Sequence, residues 1–347
     1  MSDILSEFLA AKPCLIADGA MGTSLFDLGL ESGGSPELWN VEHPDRIASV
    51  HQGYVAAGAD IILTNTFGGS RYRLKLHQAQ DRVAELNRAA AGIARGVADA
   101  AGREVLVAGD LGPTGELFQP LGPLTMDSGA EAFAEQARAL AEGGVDFLWI
   151  ETMSSREEVA AAVQGARETV LAMVCTMTFD TAGRTMMGIT PEEAAVFCHE
   201  LNPAPVAYGA NCGNGPAELV AVLGGIARTA APDAVLVAKG NCGVPSYQDG
   251  HIHYDGTPEA MAIYARLARD AGARIIGACC GSTPEHLAAV VAALEGYEPG
   301  DAPSIEAIQE ALGPIPFAAK LQAVGSLGPR RSGRRRSRRR GVGSAAG

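Results

Sequence analysis

Eight short apolar runs, each followed by a polar or glycine-rich turn and then an amphipathic stretch, recur along the first 300 residues of this 347-residue chain. They are CLIADGA (14–20), ADIILTNT (59–66), EVLVAGDLG (104–112), DFLWIET (146–152), LAMVCTMTF (171–179), PVAYGANC (205–212), AVLVAKGNCG (234–243) and RIIGACC (274–280). Runs this short and this continuously apolar suit parallel strands, which helices cover on both faces. The intervening stretches carry helix punctuation. Ser155-Arg-Glu-Glu158 and Ser282-Thr-Pro-Glu285 have capping-box spacing, and Pro191, Pro216 and Pro284 fall where a first-turn proline forfeits no hydrogen bond. Eight such units predict a single-domain (β/α)8 TIM barrel over residues 1–300, a fold of about 250 residues plus insertions. A doubly wound open sheet has the same alternation, which by itself does not show closure.

Apolar residues at 47% of the chain supply a sizeable core, yet no uninterrupted apolar stretch is long enough to span a membrane. The N-terminal MSDILSEFLAAKP has Asp3 and Glu7 and no basic region before an apolar run, so no secretion signal is read and a cytoplasmic location is expected. Seven cysteines, odd in number and irregularly spaced, suit free thiols or metal ligands rather than disulfides. The net charge of −13 conceals an asymmetry: residues 301–347 hold Lys320 and eight arginines against Asp301, Glu306 and Glu310. The remaining body is therefore strongly acidic, which disfavours an enzyme acting on nucleic acid. The low-complexity end, PRRSGRRRSRRRGVGSAAG, has no apolar face, and residues 301–347 are expected to be a disordered, solvated tail. An anionic partner of that tail, such as RNA or an acidic protein patch, is the other reading.

Barrel enzymes carry their reactive groups at the C-terminal ends of strands, and the unusual residues of this chain gather there. Strand 1 ends in Asp18-Gly-Ala-Met-Gly22, strand 2 in Thr64-Asn-Thr-Phe67, strand 3 in Gly109-Asp-Leu-Gly-Pro-Thr114 and strand 4 in Glu151-Thr152. Cysteines occupy three consecutive strand ends: Cys212 on strand 6, Cys242 on strand 7, and Cys279-Cys280 on strand 8. A lone cysteine on an apolar strand is a small buried hydrophobe, which is how Cys14, Cys175 and Cys198 read. A vicinal pair before glycine is different. Neighbouring strand residues point to opposite faces, so packing accounts for one sulfur, while a turn at the glycine can aim both at one point. Three thiolates with an exchangeable fourth position describe a catalytic zinc site; core packing is the competing explanation.

The series DGAMGT, GADIILTNTFG, GDLGPTGE, FLWIET, GANCG and GACCGSTPEHL resembles the homocysteine S-methyltransferase family from about residue 14 to 294. That family includes the homocysteine-binding module of cobalamin-dependent methionine synthase and the betaine–homocysteine methyltransferases. The resemblance implies the barrel, and implies that Cys212, Cys279 and Cys280 hold Zn2+; Cys242 matches no family ligand and reads as a neighbouring thiol. A free thiol titrates near about 8.5 and is largely protonated at neutral pH, so a metal that strips its proton creates the nucleophile. The resemblance further implies that Asp18 and Glu151 bind the substrate, both acids being suited to an ammonium group. Against this stand a helix-cap role for Asp18 and a surface position for Glu151. The backbone amides from Gly19 to Gly22 suit the substrate carboxylate, and Asn65, Thr66 and Asn241 complete the candidate substrate set.

The methyl donor is the least constrained element. No cobalamin or folate module is read in the chain, so a donor is expected from outside. Betaine's quaternary ammonium needs an aromatic cage. Gly68 and Thr152 stand where the animal betaine enzymes carry tyrosines, and Trp39 is the one matching cage residue. Asp180-Thr-Ala-Gly-Arg-Thr-Met-Met-Gly188 and Asn241-x-Gly-x-Pro245 resemble the methionine synthase module instead. The expected donor is thus a methyl-corrinoid on a separate protein, with betaine or dimethylsulfoniopropionate, then S-methylmethionine or S-adenosylmethionine, as alternatives. A non-catalytic zinc-binding barrel recruiting partners through its arginine tail is a remote further reading.

Overall fold

The computed structural model describes residues 4–248 and 251–325. Its barrel strands are β1 (Leu15–Ile16), β2 (Ile61–Leu63), β3 (Leu106–Leu111), β4 (Phe147–Met153), β5 (Met173–Met177), β6 (Ala207–Cys212), β7 (Val235–Gly240) and β8 (Ala273–Ala278). All pair in parallel, in the order β1-β8-β7-β6-β5-β4-β3-β2. The two ends of that series meet. Ala17 and Ile61 form a parallel bridge, Asp18 N donates to Ile61 O at 2.9 Å, and Asp60 N donates to Ile16 O at 2.7 Å. The sheet is a barrel, and the open doubly wound alternative is excluded.

Because strand side chains alternate between faces, the barrel interior can be followed in steps of two. Leu106, Ala108 and Asp110 point inward from β3, Phe147, Trp149 and Glu151 from β4, and Val235, Val237 and Lys239 from β7. The lower layers are apolar, with Leu15, Ile61, Leu63, Val174, Ala207 and Ile275 joining them in one buried cluster. The helix Ile4–Ala11 closes the lower end, placing Leu5 and Leu9 in the same cluster. The top inward layer alone is polar, and it forms the floor of the mouth. A separate, larger cluster fills the space between the strands and the surrounding helices.

The caps agree with their sequence signals in part. Ser155 accepts from Glu158 N, but the Glu158 carboxylate turns away to Thr114, accepting from its N at 2.9 Å and its Oγ1 at 2.7 Å. At Ser282-Thr-Pro-Glu285 the cap is Thr283, paired with His286, which frees Ser282 to donate to Cys279 O at 2.8 Å. The boundary expected at residue 300 needs correction. Helices Ile305–Leu312 and Phe317–Ala323 continue beyond it and pack on the helix Pro216–Ala227, burying Ile308, Ile315, Ala319 and Ala323. Each helix is only two turns long, eight and seven residues, and the surface it covers lies far away in sequence. The arginine-rich run falls outside the described residues. No helix among the described residues is long and apolar enough to cross a membrane.

Two stability measurements follow from these packings. Ending the chain at residue 300 uncovers the sites of Ile308 and Ile315, each worth about 1.5–3 kcal/mol when buried; thermal unfolding should begin several degrees lower, and an unchanged midpoint would mean that the two helices contribute nothing. His51, on the helix Pro44–Ala57, is fully buried with no partner for either ring nitrogen, and burial pushes its pKa down to about 4. An unfolded histidine titrates near about 6.5, so the unfolded chain takes up the proton first. Stability should therefore be lost as the pH falls from about 6.5 toward 4, by up to about 3 kcal/mol. Unfolding curves of His51→Leu should show a flatter dependence over that range.

Candidate metal centre and its pocket

Three sulfurs converge at the mouth of the barrel. Cys279 follows β8 in register with the inward-facing Ile275, so simple alternation brings it to the centre. Cys212, one residue past the buried Asn211, would point outward by the same rule. Its backbone instead takes a left-handed conformation, φ 61°, which swings the sulfur back toward the mouth. Gly281, φ 78°, makes the turn that brings Cys280 to the same point; the ring of Tyr254 lies where any side chain on Gly281 would go. Cys212 Sγ lies 3.7 Å from Cys280 Sγ, Cys279 Sγ lies 4.0 Å from Cys280 Sγ, and all three sulfurs fall within 4.8 Å of one another. Tetrahedral Zn2+ with bonds of about 2.3 Å separates its sulfur ligands by about 3.8 Å. The spacing of the trio is compatible with zinc.

Charge argues the same way. Hydrogen bonds from Cys212 and Cys279 pull the Cys280 thiol well below its ordinary pKa, while Cys212 is driven far above it as the proton holder. Three thiolates this close cannot coexist without a cation between them.

Two asparagine amides hold the loops in place. Asn241 Oδ1 accepts from Cys280 N at 3.1 Å and its Nδ2 donates to Gly213 O at 2.8 Å, tying the two ligand loops together. Asn241 is thus joined to the cysteines rather than to the cavity wall, where the sequence placed it among substrate residues. Asn211 clamps Thr152, accepting from its N at 2.9 Å and donating to its Oγ1 at 2.7 Å, and so supports a second left-handed residue, φ 60°. Cys242 stands apart from the trio: its thiol donates to Gly256 O at 3.3 Å. Tyr254 lies beside Gly281 and helps to lower the Cys280 pKa.

Cys212, Cys279 and Cys280 form one wall of a cavity of about 280 Å³, together with Asp18, Gly19, Asn65, Thr66, Asp110, Glu151 and Lys239. The structure thus brings together every candidate residue except Asn241. Asn65 and Thr66 face the cavity but are already bonded: Asn65 Nδ2 donates to Pro36 O at 2.8 Å, and Thr66 Oγ1 donates to Asp110 O at 2.7 Å. Asp18 is 3% exposed and both its oxygens are engaged, Oδ1 with Lys239 Nζ at 3.0 Å and Oδ2 with Leu63 N at 2.7 Å. Glu151 is buried, and loss of solvation raises its pKa to about 8 against the opposing pull of Lys239. Burial disfavours the Lys239 ammonium, yet Asp18 and Glu151 outweigh it and hold the charge above its ordinary range.

Lys239 and Asp110 were missed as site residues, although the alternation Val235-x-Val237-x-Lys239 and Leu106-x-Ala108-x-Asp110 places both on the inward face. Asn211 and Tyr254 had no comparable signal, because their roles depend on loops brought together by closure.

Zinc retention tests the amide supports. Cys280→Ala should abolish zinc binding, and Asn241→Ala should fold but bind zinc about 10- to 100-fold more weakly in competition with a chelator, the usual loss when a group supporting a ligand is removed. Cys14→Ala should retain wild-type affinity. Wild-type zinc affinity in Asn241→Ala would show that the ligand loops are held by something else.

The family model of homocysteine S-methyltransferases matches residues 15–294. Methionine synthase of Mycobacterium tuberculosis is 31% identical over 91% of this chain, and that of Mycobacterium leprae 30% identical over 89%. The chain spans 27% of the length of each of these relatives. Among solved structures, the metallated homocysteine methyltransferase MmuM of Escherichia coli has a similar fold, with a TM-score of 0.69 and 24% identity over 83% of this chain and 99% of that one. With a family match that runs from the first barrel strand to the last barrel helix, the chain belongs to the homocysteine S-methyltransferase family.

Proposed function

We propose that this chain is a zinc-dependent homocysteine S-methyltransferase that forms methionine, with Cys212, Cys279 and Cys280 as the zinc ligands. The observation that carries this reading is the convergence of three sulfurs on one wall of a cavity whose floor is made of buried carboxyl groups. A thiol amino acid presents one group for each side. Bound Zn2+ supplies the means to ionise a thiol at neutral pH and keep it nucleophilic. Glu151 receives the substrate ammonium, and the backbone amides of the Gly19–Gly22 turn receive its carboxylate. Asp18 lines the cavity and holds Lys239 in place beneath it. Together these groups fix the sulfur with one open side toward the mouth.

For the donor, we favour a methyl-corrinoid carried by a separate protein. The described residues lining the cavity include one aromatic of the Phe, Tyr and Trp class, Phe67, which is too few to cage a quaternary ammonium. Trp39 is buried against His43 and the Arg46 guanidinium, away from the cavity lining. A side chain at Gly68 would run into the Glu37 carboxylate, whose Oε1 accepts from Gly68 N at 2.7 Å. Around the mouth, by contrast, Phe67, Leu117, Leu121, Met186, Met187 and Val244 are exposed. Clustered exposed apolar side chains suit a large partner surface.

The test is a donor screen on zinc-replete protein with homocysteine as acceptor. Methylcobalamin or a methylated corrinoid protein should yield methionine far faster than betaine at equal concentration. Saturable betaine turnover with none from methylcobalamin would reverse the donor and keep the acceptor. Failure of every donor class to yield methionine would remove the acceptor reading itself.

A further inference from the structure

Four carboxyl groups line the cavity: Glu37 is engaged by Ser35 Oγ at 2.6 Å and Gly68 N at 2.7 Å, and the other three, Asp18, Asp110 and Glu151, have a single ammonium among them, Lys239. Asp18 already satisfies Lys239, which leaves Glu151 and Asp110 facing the cavity without a cation of their own. Asp110 is 4% exposed, and its Oδ1 is sealed from solvent with no hydrogen-bond partner. Its backbone is tightly held: its N donates to Thr64 Oγ1 at 3.0 Å, and its O accepts from Thr66 Oγ1 at 2.7 Å and Gln136 Nε2 at 3.3 Å. The fold thus fixes where the carboxyl stands and gives it nothing to bind. Asp110 pairs with Trp149 across β3 and β4, so Glu151 is its diagonal neighbour on the same inward face. A buried carboxyl without a partner is costly, and two of them side by side repel. Burial and the nearby Glu151 accordingly raise the Asp110 pKa well above the ordinary carboxylate range. One added cation between them would satisfy both.

We propose that Asp110 is a specificity-determining residue that shares the substrate ammonium with Glu151, so that the cavity selects an α-amino thiol over the same thiol without its amino group. This rests on the reading of the cavity as the homocysteine site. In that arrangement Lys239 and Asp18 are an internal pair that neither gains nor loses a partner when substrate enters. Asp110 and Glu151 are the groups whose partner arrives with it.

The experiment compares two ligands on zinc-loaded protein by calorimetry: L-homocysteine, and 4-mercaptobutanoate, which keeps the thiol and carboxylate but has hydrogen in place of the ammonium. Wild type should bind homocysteine the more tightly. Asp110→Asn, nearly identical in shape, should weaken homocysteine by about 10- to 100-fold, the range for one charge-assisted hydrogen bond, while 4-mercaptobutanoate binding stays close to wild type. Asp110→Ser, checked for zinc content and melting temperature, should show the same selective loss and guards against a folding defect peculiar to the amide. Equal losses for both ligands would reduce Asp110 to a structural residue, and unchanged homocysteine binding would remove it from recognition; either result overturns the proposal. If wild type bound neither thiol, the homocysteine reading itself would fall.

Discussion

A single buried ion pair organises the mouth of this barrel. Lys239 on β7 reaches Asp18 after β1, both nearly inaccessible to water, and the second oxygen of Asp18 accepts from Leu63 N on β2. The seam between β1 and β2 has a single backbone bridge, so the Asp18 side chain extends the seam where the main chain cannot. The Lys239 ammonium also stands 5.3 Å from the centre of the Trp149 ring, which supports it from below. Isolated buried charges are strongly unfavourable, and a pair is tolerated only when its remaining hydrogen-bonding capacity is met. Here the backbone amide, the indole face and the neighbouring Glu151 meet it.

The barrel was legible because its signal repeats. Eight apolar runs separated by capped helices describe the alternation, although closure needed the contact of Ala17 with Ile61, residues 44 positions apart whose pairing no local pattern announces. The cysteine trio was legible for a different reason: a vicinal pair followed by glycine is difficult to explain by packing. Asp18 and Glu151 are candidate site residues by resemblance and both line the cavity, but the engagement of Asp18 with Lys239 was hidden, because it joins the first strand to the seventh. The helices after residue 300 were hidden by their brevity. Ile305–Leu312 and Phe317–Ala323 are mostly apolar but only eight and seven residues long, and their order comes from the surface of Pro216–Ala227 against which they lie.

The convergence of the three sulfurs depends on unfavourable backbone. Left-handed conformations at non-glycine residues are uncommon and persist where surrounding contacts over-determine them. Cys212 and Thr152 both adopt one, at the ends of β6 and within β4. Asn211 holds Thr152 through two hydrogen bonds, and Asn241 fixes the loops before and after the sulfurs through two more. Ser282 adds a third tie, accepting from Ala20 N at 3.0 Å while donating to Cys279 O, which couples the turn after β1 to the ligand loop. The sulfurs are consequently placed by the rim of the barrel before any metal arrives.

The inward step of two residues has a consequence for how such a cavity can diversify. Asp110, Glu151 and Lys239 occupy the last inward position of three different strands, each resting on an apolar layer of its own strand. A substitution at Asp110 or Glu151 alters one tile of the floor and leaves strand register, closure and the thiol rim untouched, whereas Lys239 also holds Asp18 at the seam. The shape and charge of the cavity floor can therefore change through single substitutions while the cysteine rim is inherited unchanged.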